Sequence, residues 1–294
     1  MNGIIIKGVG GFYEVESDGK IYTCRAKGIF RREKIKPLVG DRVSIECPEN
    51  AENDSSITDI FPRKNELIRP AVSNVDLAMV VFSVRKPDPG LFLLDQYLIT
   101  MMQRNVPAVI VWNKTDLTPA SGNILEEYEK IYRRAGYRAL FTSTVNGEGI
   151  KELKNFIQGK TVVLAGPSGV GKSSLTNLLC PEASMVTGSI SRKIERGKQT
   201  TRHSEFFCLG ENTYLCDTPG FASVTPELFT ADSLREFFPE ILELEGKCRF
   251  TGCRHLSEPG CAVKKAVEEG TIPKSRYESY IRLLKENSER RRYT

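Results

Sequence analysis

A chain of 294 residues, 40% hydrophobic and 27% charged, has the length for about two domains with an appendage and the composition of a globular protein. A net charge of +5 is too small to dictate a partner, and no apolar run reaches the ~18 residues of a membrane span. The opening MNGIIIKGVGGFYEV has neither a basic leader nor a long apolar stretch, so no secretory signal is expected and the cytoplasm is the expected location.

Residues 1–68 read as short strands: GIIIKGV, GFYEVES, KIYTCRAKG, DRVSIEC and SSITDIF, punctuated by Gly10-Gly11, Asp18-Gly19 and Gly40-Asp41. Closely spaced short strands with turn signals predict a small OB-type β-barrel. Inside it, RAKGIFRREKIK (Arg25–Lys36) sets six cations against Glu33 and is expected on a strand end and loop, where such barrels bind oligonucleotides.

Residues 69–230 alternate strand and helix. VDLAMVVFSV is the continuous apolar run of a buried parallel strand. Asp88-Pro89 then reads as N-cap and first residue of a helix whose apolar face is Leu91, Leu94, Leu98 and Met101. The strand PAVIVW, a helix over roughly 121–135, the strand RALF, a helix near 150–158 and the strand TVVLAG follow. This alternation predicts a parallel α/β sheet. Residues 231–294 are expected to be helical, interrupted by a Cys/His cluster. Two further basic runs are Gly188–His203, with Arg192, Lys193, Arg196, Lys198 and Arg202, and Arg282–Thr294, with Arg290, Arg291 and Arg292. Each alone reads as a solvated face; three together point to a phosphate-rich partner such as RNA.

Gly166-Pro167-Ser168-Gly169-Val170-Gly171-Lys172-Ser173 matches G-x-x-x-x-G-K-[ST] between a strand and the helix that starts Ser173-Ser174-Leu175. Glycines let the backbone N–H groups converge on phosphate oxygens at a helix N-terminus. Lys172 is expected on the β- and γ-phosphates and the Ser173 hydroxyl on Mg²⁺. Upstream, Asn113-Lys114-Thr115-Asp116 follows the strand PAVIVW. A carboxylate at Asp116 accepts from both N1–H and the 2-amino group of guanine, and adenine would leave it unpaired. Asn113 is placed to bond the other edge of the base and the loop, and the Lys114 stem to lie along the base plane. Ser143 and Thr144, after RALF, are expected to offer N–H groups to the guanine O6. In YLCDTPGF, Asp217 is placed to hold Mg²⁺ through water and the Gly220 N–H to reach the γ-phosphate. Thr200 or Thr201, in ERGKQTTRH, would close onto Mg²⁺ when the γ-phosphate is present.

Of eight cysteines, Cys24, Cys47, Cys180, Cys208 and Cys216 are scattered and read as structural thiols. Cys248, Cys253, His255 and Cys261 are clustered. Three thiolates and an imidazole match a closed, tetrahedral, structural zinc site. Lys247, Arg249 and Arg254 sit beside these ligands, to offset thiolate charge or to face RNA phosphate.

The motifs run NKTD, STV, phosphate loop, QTT, DTPG, a rotation of the usual GTPase order. With VGDRV in the barrel and CRFTGCRHLSEPGC near the end, the whole chain resembles the ribosome small-subunit-dependent GTPase A family. The resemblance implies a multidomain protein: an OB barrel that meets ribosomal RNA, a circularly permuted P-loop α/β GTPase domain, and a C-terminal α-helical zinc-binding subdomain. It implies GTP hydrolysis, with GTP/GDP, Mg²⁺ and one Zn²⁺, acting late in small-subunit maturation and stimulated by that subunit. No membrane partner and a monomer are expected. The family commonly carries His before the paired threonines; here Gln199 stands there, able to orient water by its amide but not to act as an imidazole base. No arginine finger is evident, so intrinsic turnover is expected to be slow. A second class stays open, a nucleotide-gated RNA-binding module with incidental hydrolysis.

Overall fold

Period-two alternation builds the N-terminal barrel. The computed structural model describes residues 1–47, 55–118, 123–181, 204–210, 212–216 and 224–290. Strands β1 (Asn2–Val9), β2 (Phe12–Ser17) and β3 (Lys20–Ala26) form a meander, followed by helix α1 (Gly28–Arg32), β4 (Arg42–Glu46) and β5 (Ser55–Ile60). Asp18 and Gly19 take φ of 51° and 74°, as a tight hairpin between β2 and β3 requires. β5 pairs parallel with β3 and antiparallel with β4, and β4 closes onto β1. The result is a closed, OB-like five-stranded barrel filled by Ile5, Val15, Cys24, Val43 and Ile57. The basic run departs from expectation: it carries the helical turn α1, which buries Phe30 and leaves Arg31 and Arg32 exposed.

The barrel is joined to the next unit through Gly40 and Asp41. The fully buried Asp41 carboxylate accepts from the Leu38 N–H (2.8 Å), from Nε and Nη2 of Arg63 (2.7 and 2.8 Å) and from Ser73 Oγ (2.6 Å). Gly40 has φ +95°, and a Cβ there would lie 2.1 Å from the Ser73 carbonyl oxygen. Ser73 belongs to the small ribbon β6 (Glu66–Leu67) and β7 (Val72–Ser73).

The second unit contains β8 (Leu77–Ser83), α2 (Leu91–Gln103), β9 (Ala108–Asn113), α3 (Ile124–Arg133), β10 (Ala139–Thr142), α4 (Ile150–Ile157), β11 (Thr161–Ala165), α5 (Lys172–Leu179), β12 (Phe206–Cys208) and β13 (Tyr214–Cys216). The sheet order is β10-β9-β8-β11-β13-β12, parallel except for β12 against β13. Every residue of β8 is buried, as a central strand covered on both faces demands. Helix α2 starts at Leu91 behind Gly90, not at Asp88-Pro89. The segment before it is held elsewhere: Ser83 Oγ donates to the Pro87 carbonyl at 2.7 Å and Lys114 Nζ donates to that of Lys86. Those anchors draw the chain across the phosphate loop before a helix can begin.

The remainder is helical: α6 (Ala231–Glu236), α7 (Pro239–Leu242), α8 (Ala262–Glu268) and α9 (Lys274–Arg290). Leu234, Phe238, Ile241, Val263, Ile272, Tyr280 and Leu283 form its core, with Ile99 of α2 joining them. A buried ion cluster ties it to the sheet domain. Arg276 on α9 is 2.6 Å from both Asp95 on α2 and Glu240 on α7, and all three are buried. The segment leading into α6 is gripped on both sides: Gln103 both donates to and accepts from the Glu227 backbone, and Asn287 does the same with Phe229. No described helix is long and apolar enough to cross a membrane.

Candidate nucleotide pocket and metal centre

Parallel strands carry their loops to one edge of the sheet, where α/β proteins place ligands. β11 ends at Ala165, β9 at Asn113 and β10 at Thr142, and the phosphate loop, NKTD and the 143–149 loop follow them directly. The phosphate loop requires its glycines. A Cβ on Gly166 (φ +140°) would meet the Val81 carbonyl oxygen at 2.1 Å, and one on Gly171 (φ +96°) would meet Asn113 Nδ2 at 2.3 Å. The loop thus rests directly on the strand that delivers NKTD.

Asn113 is fully buried and binds three segments together. Its Nδ2 donates to the Val170 carbonyl at 2.8 Å, and its Oδ1 accepts from Thr142 Oγ1 at 3.1 Å. Of the two partners expected for it, base edge and loop, the described contacts are to the loop and to β10. Lys114, in left-handed conformation at φ +65°, stretches over the phosphate loop and donates from Nζ to the Gly169 carbonyl at 2.6 Å. Burial pulls its ammonium below the ordinary value, with the Asp116 carboxylate pushing the other way. Asp116 is exposed, and its Oδ1 accepts from the fully buried Ser143 Oγ at 2.5 Å. Ser143 therefore orients the carboxylate by its side chain. Its own N–H donates to the Glu148 carbonyl at 3.0 Å, so of the two N–H groups expected at the guanine O6 only that of Thr144 lacks a partner among the described residues.

Lys172 opens α5 and folds back over the loop, donating to the Gly166 and Pro167 carbonyls at 2.8 and 2.7 Å. Ser173 and Ser174 lie in the first turn of α5, half-buried, where backbone N–H groups have no intrahelical acceptor. Ser168 and Gly169 are exposed and Val170 is buried. This is an anion cradle beside an exposed carboxylate, the combination a guanine nucleotide needs. Gln199, Thr200, Thr201, Asp217 and Gly220 lie outside the described residues. Three contributors escaped the sequence reading: Lys86 through its carbonyl, Thr142, and Glu148. None sits in a recognisable motif; each acts through a tertiary contact.

The second cluster fits a metal by its own dimensions. The ligand atoms of Cys248, Cys253, His255 and Cys261 all lie within 4.8 Å of one another. His255 Nδ1 is 3.4 Å from Cys261 Sγ and 3.6 Å from Cys248 Sγ, and the two sulfurs are 3.9 Å apart. Zinc with bonds of about 2.3 Å to sulfur and about 2.0 Å to nitrogen has tetrahedral edges of about 3.5–3.8 Å. Burial pushes the Cys253 thiol up to about 12 and raises that of Cys261 as well. Buried thiolates therefore need a compensating cation. Cys261 is the N-cap of α8, and its sulfur accepts from the Lys264 N–H at 3.5 Å, which favours the anionic form. His255 is held in left-handed conformation (φ +61°), its carbonyl accepting from Tyr277 Oη at 2.6 Å. Lys247, Arg249 and Arg254 are exposed beside this centre.

Comparison with known proteins follows the same division. A family model described as RsgA N-terminal domain matches residues 2–55, and one described as RsgA GTPase matches residues 60–227. A protein of Agathobacter rectalis named small ribosomal subunit biogenesis GTPase RsgA is 48% identical, covering 100% of both chains. One of the same name from Alkaliphilus metalliredigens is 44% identical over 99% of each. Among solved structures, YloQ, described as a circularly permuted GTPase, matches with a TM-score of 0.81 at 36% identity, covering 98% of this chain and 95% of that one. YjeQ from Thermotoga maritima matches with a TM-score of 0.82 at 32% identity, covering 97% and 98%. With matches at that identity over its whole length, and with the permuted phosphate loop and guanine-type motif converging on Asn113, the chain belongs to the RsgA GTPase family.

Proposed function

We propose that this protein hydrolyses GTP to GDP and phosphate in the late maturation of the small ribosomal subunit, and that contact with that subunit accelerates the reaction. The observation that carries the nucleotide assignment is the packing of NKTD on the phosphate loop, with Asn113 Nδ2 donating to the Val170 carbonyl at 2.8 Å. In this reading Gly166–Ser174 wrap the phosphates, Lys172 neutralises them, and Asp116, oriented by Ser143, reads the base while Lys114 and Thr144 complete its walls. Ser173, with Asp217 through water, would hold Mg²⁺, which supplies charge neutralisation on the phosphates when bound. Thr200 or Thr201 would close the site, Gly220 would meet the γ-phosphate and Gln199 would orient water. Cys248, Cys253, His255 and Cys261 hold one structural zinc.

Support for an RNA partner comes from the barrel. Phe12 is 46% exposed with the Arg25 guanidinium 4.6 Å from its ring centre, and Arg31 and Arg32 of α1, the helical turn that follows β3, are exposed. Exposed aromatic and guanidinium faces are what unpaired bases and phosphates take. The zinc loop repeats the pairing with Arg249 over Phe250 at 5.5 Å. The division into 1–68, 69–230 and 231–294, a monomeric state and a cytoplasmic location belong to the same proposal. Replacing Asp116 by Asn tests the base assignment. Hydrolysis should shift from GTP towards XTP, because an amide can donate to the 2-oxygen of xanthine where the carboxylate accepted from guanine. An unchanged preference for GTP would overturn it.

A further inference from the structure

We infer that Glu148 is a specificity-determining positioning residue, which locks the guanine-reading segment to the neighbouring loop through Thr115; the inference rests on the guanine assignment above. NKTD has a variable third position, and here it is Thr115, 4% exposed. Its Oγ1 donates to Glu148 Oε2 at 2.6 Å. Glu148 is itself fixed by the loop it belongs to. Its carbonyl accepts from the Ser143 N–H at 3.0 Å, and its N–H donates to Asn146 Oδ1 at 3.0 Å. The Gly147 N–H returns to the Ser143 carbonyl, and Gly149 leaves the loop at φ +70°, where a Cβ would strike the Phe141 carbonyl oxygen at 1.8 Å. This loop has one backbone shape.

Two side-chain bonds therefore cross from NKTD to the loop, Asp116 to Ser143 and Thr115 to Glu148, from adjacent residues. A single bond would let the exposed Asp116 carboxylate swing about Ser143. The second bond ties the Thr115 backbone to the same loop, and with it the point from which the Asp116 side chain reaches Ser143. Glu148 touches no base, yet it sets the direction from which Asp116 meets the guanine N1–H and 2-amino group. Losing it should blunt recognition of the 2-amino group more than nucleotide binding in general.

The test is equilibrium binding of fluorescent GDP and of IDP, which lacks the 2-amino group, to the full chain. Glu148→Ala and Thr115→Val should each weaken GDP by about tenfold, the effect expected when a hydrogen bond to a charged group is lost, and IDP by clearly less, since IDP keeps the N1–H but has no 2-amino group to lose. The double variant should be no weaker than either single one, as members of one bond are not additive. Thr115→Ser and Glu148→Gln, which keep a donor and an acceptor, should restore GDP selectivity. Equal losses for GDP and IDP, additive losses, or no loss at all would overturn the inference. Asp116→Asn distinguishes the two levels. If it abolishes GDP preference while Glu148→Ala does not, only the role of Glu148 fails; if neither matters, the guanine assignment itself has failed.

Discussion

Replacing Arg276 by Met removes the cation from a site that holds two carboxylates. Asp95 is 0% exposed and Glu240 1% exposed, and the guanidinium meets both at 2.6 Å while packing 4.4 Å from the centre of the Phe238 ring. With Arg276 gone, neither carboxylate has a counter-charge at that position, and the loss should be about 3–5 kcal/mol, the cost of breaking a buried ion cluster from one side. That is a large share of the roughly 5–15 kcal/mol that stabilises a domain. The chain supplies its own probe. Its single tryptophan, Trp112, is fully buried, stacks on Tyr128 at 4.4 Å and lies 6.3 Å from Tyr132, the ring 5.7 Å from the Arg276 guanidinium. Urea unfolding followed by Trp112 fluorescence reports on this region directly. The pH dependence has a definite sign. Burial holds the Asp95 carboxyl above its ordinary value, against the pull of the Arg276 guanidinium and of hydrogen bonds from Ser279 and Tyr132. In the variant the guanidinium's share of that pull is gone and the carboxyl rises further, so the folded state holds a proton that the unfolded chain releases above the ordinary carboxylate range. Stability then falls as pH rises, and the deficit should be smaller at about pH 6 than at about pH 8. Adding Asp95→Leu and Glu240→Leu to Arg276→Met should return most of the loss, because apolar groups of similar volume need no counter-charge. A loss under about 1 kcal/mol at the higher pH, against the 3–5 expected for a buried cluster, or a deficit that grows on acidification, would refute the reasoning.

Two further outcomes follow from the same geometry. Cys261→Ser should release zinc, measured by metal analysis of the purified protein, and should lower the melting temperature of the C-terminal helices, since the ligand also caps α8; full retention of zinc would contradict the ligand set. Gly171→Ala should weaken nucleotide binding by at least about tenfold, because the new Cβ meets Asn113 Nδ2 at 2.3 Å and the backbone sits at φ +96°; unaltered affinity in a titration would show that the loop is not held as described.

Local pattern and tertiary contact divide the legibility of this chain. The barrel strands were readable because half their residues face a core and alternate with period two. The phosphate loop and the Cys/His cluster were readable because their chemistry fixes spacing as well as residue type. Helix α1 was not: at five residues it shows no period, and only Phe30 packs inward. The false start of α2 at Asp88-Pro89 has a tertiary cause, the anchoring of Lys86 and Pro87 by Lys114 and Ser83. Ser143 was expected to offer its N–H to a base; that N–H donates instead to the Glu148 carbonyl, and the hydroxyl faces Asp116, a contact no local pattern announces. Arg276, in KSRYESY, carries no local sign of burial; the docking of α9 against α2 and α7 buries it.

The permuted order now has a spatial meaning. The DTPG motif is followed in sequence by Pro226–Phe229, whose backbone is held by Gln103 of α2 and by Asn287 and Arg290 of α9. The segment that follows DTPG in sequence is thus bonded to the C-terminal helix. The measurement that tests the central claim most directly is phosphate release from GTP with and without purified small ribosomal subunits, with ATP as control. Strong stimulation is expected, confined to GTP and dependent on the subunit. Turnover unaffected by the subunit, with GTP merely strengthening binding to it, would contradict the claim and mark the protein as a nucleotide-gated binding module.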